Sequence, residues 1–354
     1  MALLLSNEDV SAVLSMDDCM GAMEQAFAEL GRGEAVTRSR SDLIVPQPEP
    51  GRYFLLKTCD AALPGAGLAA VRITSNMMQE IGSGAERRLD PLPLAIGKSF
   101  VGLVMLFDMA TLDLVAIIQD ARIQVMRAGA AYGIAAKYLA RSNAEVIGVL
   151  GAGQQAREQL TAIAMVRPLR LVKVFSPTKA NRERFAAEMA ERLGIDVVAH
   201  DEPRSVVAGS DIVASTTTSL EPVFPGTWLE PGQHVSSARA TELDDVARER
   251  ASFIVLQSAE RTMLLAPPGN TDSPWARARR REPDPARLVV LGDLVVGRHP
   301  GRTSPTEITL LGGYETFGPG TGYSALGAIA VERARQRGIG RELPGEWFVQ
   351  KESS

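Results

Sequence analysis

The chain has 354 residues, 45% hydrophobic and 23% charged, the balance of an ordinary globular protein long enough for two domains with their own cores. A formal net charge of −4 argues against a nucleic-acid-binding surface, and no apolar run reaches membrane length. Two cysteines, Cys19 and Cys59, and 3 histidines are too few for a disulfide framework or a metal-ligand set. A reduced, cytoplasmic protein is expected, because the polar stretch Ser6-Asn-Glu-Asp rules out a signal peptide at the start.

The segment up to about residue 125 reads as mixed α/β with no nucleotide-binding pattern. Asn7 and Met16 open helices, the second with Met20, Met23, Phe27 and Leu30 on one face and a stop at Gly31 or Gly33. Strand-like runs follow at 43–45, 53–56, 68–74, 100–107 and 114–118, separated by Pro, Gly and Asp turns. The Gly/Pro/charge-rich stretch 79–98 reads as an exposed loop, and Asp108 in Asp108-Met-Ala-Thr-Leu-Asp113 as a turn residue rather than a catalyst. Over 123–141 the pattern becomes a helix of small residues suited to close packing. Arg127 interrupts it. A cation in a tightly packing helix needs an anionic partner, so Arg127 reads as a ligand for a carboxylate or phosphate; the plainer alternative is a helix-surface arginine.

The chain then runs through Glu145-Val-Ile-Gly-Val-Leu-Gly-Ala-Gly-Gln-Gln-Ala156. Val146, Ile147, Val149 and Leu150 form the short apolar run of a strand covered on both faces, and Ala156, Leu160, Ile163 and Ala164 give the following helix a face toward a sheet. In that strand, turn and helix setting, Gly151-x-Gly153-x-x-Ala156 is a dinucleotide-binding pattern: one glycine for the tight turn, one for close approach of a pyrophosphate, a small residue for helix-on-strand packing. Gly151, Ala152, Gly153, Gln154 and Gln155 are candidate cofactor contacts, with the pyrophosphate on the first helical amides. The next strand, 171–175, ends about 20 residues on, where an NAD site carries an acid for the ribose hydroxyls. No acid is there. Ser176, Thr178, Lys179 and Arg182 follow instead, hydroxyls and cations suited to a 2′-phosphate, which favours NADP(H) with NAD(H) possible; alternatively Lys179 and Arg182 are the wet face of the next helix.

Strand and helix keep alternating: a strand at 197–199, a helix at 202–209, and a strand at 211–218 that brings Thr216 and Thr217 to the carboxyl edge, where such sheets hold ligands. Further strands are expected at 231–237 and 253–256. The cationic tract 277–281 reads as a solvated loop, and Gly318-Pro-Gly-Thr-Gly322 as a loop entering a last helix at 323–337.

Six motifs in order, Arg127-Ala-Gly-Ala-Ala with Ala136-Lys-Tyr-Leu-Ala-Arg141, Gly151-Ala-Gly-Gln-Gln-Ala156, Gly209-Ser-Asp-Ile-Val-Ala-Ser-Thr216, Pro231-Gly-Gln-His-Val235, Glu242-Leu-Asp244 and Glu307-Ile-Thr-Leu310, together resemble the ornithine cyclodeaminase/μ-crystallin family over nearly the whole chain. The resemblance implies an α/β fold with a Rossmann-type doubly wound domain over 126–315 and an α+β substrate and dimerisation domain made of 1–125 and a returning tail, 316–354. It also implies a homodimer, NAD(P)(H) in the Rossmann half, and a small amino acid or its imine between the domains.

By the same resemblance, Arg127 matches an arginine that holds the substrate carboxylate, Arg40 a second one, and Asn76 a residue of the stretch 68–76. The family lysine near the reacting carbon is here Arg72, which stays charged and cannot accept a proton, although it can clamp a carboxylate or polarise an imine. Lys57, nearby in sequence, is either its substitute or a surface residue. Cyclodeaminases of the family place an aspartate a few residues after the strand that here ends in Val235-Ser-Ser-Ala-Arg-Ala-Thr-Glu-Leu243; this chain has none there. Ala128 stands for a family threonine and Pro177 for an arginine, so ornithine cyclisation is disfavoured. The expected activity is that of an NAD(P)H-dependent oxidoreductase at the C–N bond of a small amino or imino acid, with Arg72, Arg127 and Lys57 at the reacting atoms. A cyclodeaminase-type lyase with bound NAD+ and a non-catalytic, crystallin-like NADPH-binding protein are the alternatives.

Overall fold

Two patterns of hydrophobic alternation produce two sheets in the computed structural model, which describes residues 1–38, 40–260, 262–267, 274, 284–314 and 318–350. The cationic tract 277–281 lies outside the described residues. In chain order the first part comprises β1 (Ala2–Leu5), α1 (Asn7–Val13), α2 (Met16–Arg32), β2 (Val36–Thr37), β3 (Ser41–Pro46), β4 (Arg52–Leu63), β5 (Leu68–Ile81), β6 (Arg88–Leu92), β7 (Val101–Asp108), β8 (Leu114–Gln119) and α3 (Asp120–Leu139). The second comprises β9 (Val146–Leu150), α4 (Gln154–Ala164), β10 (Leu171–Phe175), α5 (Lys179–Leu193), β11 (Asp196–Ala199), α6 (Pro203–Val207), β12 (Ile212–Ser215), β13 (His234–Ser237), α7 (Asp245–Arg250), β14 (Phe253–Leu256), β15 (Met263–Leu265), β16 (Leu288–Val290), α8 (Leu291–Val295) and β17 (Thr309–Leu311). The chain ends with α9 (Thr321–Arg337) and β18 (Arg341–Leu343).

The first two helices begin where sequence chemistry starts them. Ser6 and Ser15 each accept a hydrogen bond from the amide three residues on, with Asp9 and Asp18 returning the bond, and Gly33 closes α2 at φ 76°. The first sheet is ordered β15-β3-β4-β5-β7-β8-β1-β18, with β2 on β4 and β6 on β5. Side chains along its strands alternate between two faces. One face is buried under α9, which packs on β4, β5 and β7, while the other carries half-exposed apolar side chains. The second sheet, β11-β10-β9-β12-β13-β17-β14-β16, is parallel at every recorded pair, and β12, β13 and β14 are buried at all four positions, as a sheet covered on both faces requires. Its strand order reverses between β9 and β12, the point at which such sheets open a ligand crevice.

Several expectations are corrected. The stretch 79–98 is not all loop: β6 pairs with β5, Leu89 is buried, and the segment hydrogen-bonds across to the second part through Leu89 N to Thr218 O (3.0 Å) and Leu220 N to Arg87 O (2.9 Å). Pro and charge on this segment hid a strand whose buried content is mainly one leucine. The strand expected at 211–218 stops at Ser215, because the amide and hydroxyl of Thr217 turn to the Glu242 carboxylate. β15 joins the first sheet on β3, although it lies in the stretch assigned to the nucleotide domain. The C-terminal elements lie against the first sheet, α9 packing on β4, β5 and β7 and β18 pairing with β1. Among the described residues no helix is long and apolar enough to cross a membrane.

Candidate active site

The carboxyl ends of β9, β10, β12 and β13 open into a cavity of about 1150 Å³ whose opposite wall is the buried face of β4 and β5. Gly151, at the end of β9, takes φ +114°, and a Cβ there would meet the Thr216 carbonyl oxygen at 2.2 Å, so only glycine fits. A Cβ on Gly153 would meet nothing within 4 Å. That open space above the first amides of α4 is a cradle of the shape a pyrophosphate needs, so the residues fit a dinucleotide. Gly151, Ala152, Gly153, Gln154, Gln155, Ser176, Thr178, Thr216 and Thr217 all line the cavity.

Lys179 and Arg182 do not. Lys179 is 73% exposed beside Glu183, and Arg182 is buried, donating to the Ser176 carbonyl (3.0 Å) and to Asp201. The cation side of the 2′-phosphate reading is corrected accordingly, since one cation points to solvent and the other is already bonded inside. Asn181 lines the cavity in their place, and no Asp or Glu from the end of β10 does.

On the opposite wall, alternation puts Lys57 and Cys59 of β4 on one face with Arg72, Thr74 and Asn76 of β5. Arg40 and Arg72 are each held by a buried carboxylate. Arg40 Nε and Nη2 bond the two Asp42 oxygens at 2.6 and 2.5 Å; Arg72 Nε and Nη2 reach Asp120 Oδ2 at 2.8 and 2.6 Å. Asp120 fits because Gly102 lies beneath it, where a Cβ would collide with its Oδ1 at 1.9 Å. Arg38, by contrast, is 79% exposed against Asp60, so Arg40 is the arginine that faces the cavity. Asn76 lies on the right face but outside the cavity wall.

Arg127 is only 5% exposed. Its Nε and Nη2 donate to Gln124 Oε1 at 3.1 and 2.8 Å, and it lies over the Tyr323 ring at 5.0 Å; Arg72 lies over the same ring at 5.4 Å. Gln124 Oε1 also accepts from the Tyr323 hydroxyl. Among the described residues no carboxylate is paired with Arg127, so its burial leaves a cation aimed at the cavity without an anion. Lys57 has no hydrogen-bond partner among the described residues either. Burial and then the charge of Arg40, reinforced by Arg239 and Arg72 and opposed by Asp42, bring its ammonium down to about 7. A surface lysine is excluded. Beside it, Thr74 Oγ1 is buried with no hydrogen-bond partner among the described residues.

Glu242 organises the floor. Fully buried, it accepts from the Ser215, Thr217 and Ser237 hydroxyls and from the amides of Thr217, Ala238 and Arg239, which fixes the loops after β12 and β13. Sequence reasoning singled out the Glu242-Leu-Asp244 motif without giving it a role, and it missed Asp42, Asp120, Gln124 and Tyr323. The available signal for Asp120 was an acid opening a helix of otherwise small residues. Asp108 is a turn residue, as expected, accepting from the amides of Ala110 and Thr111.

The profile of the ornithine cyclodeaminase/mu-crystallin family matches residues 1–316. A protein of Rhizobium meliloti named as a dehydrogenase is 34% identical over 220 residues, 61% of this chain and 64% of that protein. A protein of Sinorhizobium fredii named as an uncharacterized cyclodeaminase is 28% identical over 95% of this chain and 97% of its own length. Among solved structures, Thermococcus litoralis Delta(1)-pyrroline-2-carboxylate reductase in complex with NADH and L-proline superposes with a TM-score of 0.77 at 28% identity, covering 96% of this chain and 100% of that one. With the profile matching residues 1–316, the chain belongs to the ornithine cyclodeaminase/mu-crystallin family.

Proposed function

We propose that the protein is an NAD(P)H-dependent oxidoreductase that reduces the C=N bond of a small imino acid, or runs the reverse oxidation of the amino acid. One observation carries this reading: an unpaired buried guanidinium, Arg127, and an amine that titrates near neutrality, Lys57, open into the same cavity as the glycine turn. Arg127 fixes the substrate carboxylate, by the two-point geometry that a guanidinium offers a carboxylate. Arg72, anchored by Asp120, keeps its charge and adds positive potential at the imine without moving a proton. Lys57 takes the acid/base role that Arg72 cannot, giving a proton to the nitrogen in reduction and accepting one in oxidation. The hydride comes from the nicotinamide, held on Gly151 to Gln155 and beside Thr216 and Thr217. C=N then becomes CH–NH, with one hydride on carbon and one proton on nitrogen.

NADP(H) is favoured, with NAD(H) accepted, because the end of β10 presents Ser176, Thr178 and Asn181 to the cavity and no acid to repel a phosphate. The preference is modest, since neither Lys179 nor Arg182 faces the site. A cyclodeaminase reaction is the weaker reading: the loop after β13 offers Arg239 to the cavity where an acid would be needed. Calorimetric titration with NADPH and NADH, then NADPH oxidation against cyclic imino acids and keto acid plus amine pairs, tests the proposal. Cofactor binding with no turnover on any of them would defeat it and favour the non-catalytic reading.

The assembly is a homodimer through the first sheet. Its outer face carries Leu43, Val45 and Val101 at 43, 42 and 50% exposure, with Phe54, Leu56, Ile73, Leu103 and Met105 half-exposed between them. A contiguous apolar face of this kind fits a second copy of the same surface.

A further inference from the structure

The stretch Gly318-Pro-Gly-Thr-Gly-Tyr323, which reads from the sequence only as a loop entering the last helix, meets Arg127 repeatedly. A Cβ on Gly318 would run into Arg127 Nη1 and Gln257 Oε1, and one on Gly322 would come within 3.3 Å of Arg127 Cδ and 2.8 Å of Met23 Sδ. Bare backbone at these two positions therefore makes the room that the guanidinium and its stem occupy. Between them, Gly320 lies on β4. Its amide donates to Thr37 Oγ1 (3.1 Å), and a Cβ there would be 2.8 Å from the Asp60 carbonyl oxygen. The turn is thus pinned to the first sheet on one side and fitted to the arginine on the other.

Tyr323, buried in the first turn of α9, closes the socket. Arg127 and Arg72 both lie over its ring, and its hydroxyl donates to Gln124 Oε1, the same oxygen that accepts from Arg127 Nε and Nη2. Gln124 thereby occupies the Nε and Nη2 edge of the guanidinium. What is left for a carboxylate is the Nη1 and Nη2 edge, whose Nη1 end lies beside Gly318 at the cavity wall. An arginine held this way has already given up its rotamer freedom on folding, so less is lost when a substrate binds.

We propose that residues 318–323 form the socket that presents Arg127 to the substrate carboxylate, with Gly318 leaving the receiving edge clear and Tyr323 acting as the positioning residue. This deepens the C–N oxidoreductase reading and rests on it only for the carboxylate assigned to Arg127. Because Arg72 of β5 shares the same ring, Tyr323 also sets how the two cations stand relative to each other.

Carboxylate-selective binding reads the socket directly. Protein saturated with NADP+ is titrated calorimetrically with butyrate and with butyramide, an uncharged analogue of the same shape. The wild type is expected to bind butyrate roughly 10- to 100-fold tighter, the scale of a charge-assisted hydrogen bond. Gly318→Ala and Tyr323→Leu should erase that preference, while Tyr323→Phe, which keeps the ring, should retain most of it. Affinity for NADPH should be unchanged in all three. Gly318 is outside the left-handed region, so alanine there conflicts with its neighbours and not with its own backbone. A preference that survives in folded Gly318→Ala or Tyr323→Leu would overturn the proposal, as would an equal loss of NADPH binding, the sign of a general structural role. If Tyr323→Leu does not fold, Gly318→Ala decides. No preference in the wild type would overturn both the socket and the role of Arg127. The expected pattern without turnover of any imine would keep the socket and defeat the reductase reading; turnover of imino acids with a preference indifferent to the variants would do the reverse.

Discussion

At the residue scale the site is built from two kinds of cation. Arg40 and Arg72 carry their own buried carboxylates and serve as fixed charges, and removing Asp120 would cost about 3–5 kcal/mol by breaking its buried pair with Arg72. Among the described residues Arg127 and Lys57 have no such partner, and they are the pair proposed to act on the substrate. Arg127→Lys, which loses the planar two-point grip, is expected to raise the KM for the imino acid roughly 10- to 100-fold with cofactor affinity unchanged. Steady-state kinetics beside calorimetry with NADPH measures both. Lys57 is depressed to about 7, so the rate of imine reduction should fall as pH rises through that value and the reverse oxidation should rise. Lys57→Met should abolish that step in the pH profile. The same shift has a stability consequence. The unfolded lysine keeps its proton to about 10.5, so the folded state is penalised below about pH 7 and gains stability as pH rises between the two values. Denaturant titrations at pH 6.5 and 9.5 should show that gain in the wild type and less of it in Lys57→Met.

At the element scale, the legible parts were those whose chemistry is local. Ser6, Ser15 and Gly33 mark helix ends, and the apolar run before Gly151 marks β9 and the turn that follows it. The opaque parts depend on partners distant in sequence. Arg72 reads from the sequence as standing for a lysine and able to clamp a carboxylate or polarise an imine; the Asp120 that holds it, 48 residues on, is a tertiary partner. Arg182 was read as a phosphate grip because its tie to Asp201 is tertiary. Lys57 could not be told from a surface lysine, since burial comes from strands that pair with β4 and not from β4 itself. The small-residue pattern of α3 did predict close packing, and the packing is against α4: a Cβ on Gly133 would come within 2.8 Å of the Ala162 Cβ. Gly133→Val is expected to destabilise the protein by about 1–3 kcal/mol through overpacking, read as a lowered midpoint in denaturant. An unchanged midpoint would mean that α3 and α4 can separate without cost.

At the scale of the whole molecule, the cavity lies between the two sheets, and β6 hydrogen-bonds across to the loop after β12, so cofactor and substrate walls are held in register. The outer face of the first sheet is the surface proposed to take a second copy. Light scattering should report a dimer, and Leu103→Glu with Ile73→Glu, placing charges on that face, should yield a monomer; a wild-type monomer would contradict the assignment of the face. The account stands or falls on what happens to the C–N bond. NADPH oxidation and amino acid formation should be followed together on a panel of imino acids, with ammonia release from ornithine and NAD+ assayed in parallel. The account predicts one amino acid formed for each NADPH consumed and no ammonia from ornithine. Ammonia release with no net change in the nicotinamide would contradict it and make the protein a cyclodeaminase.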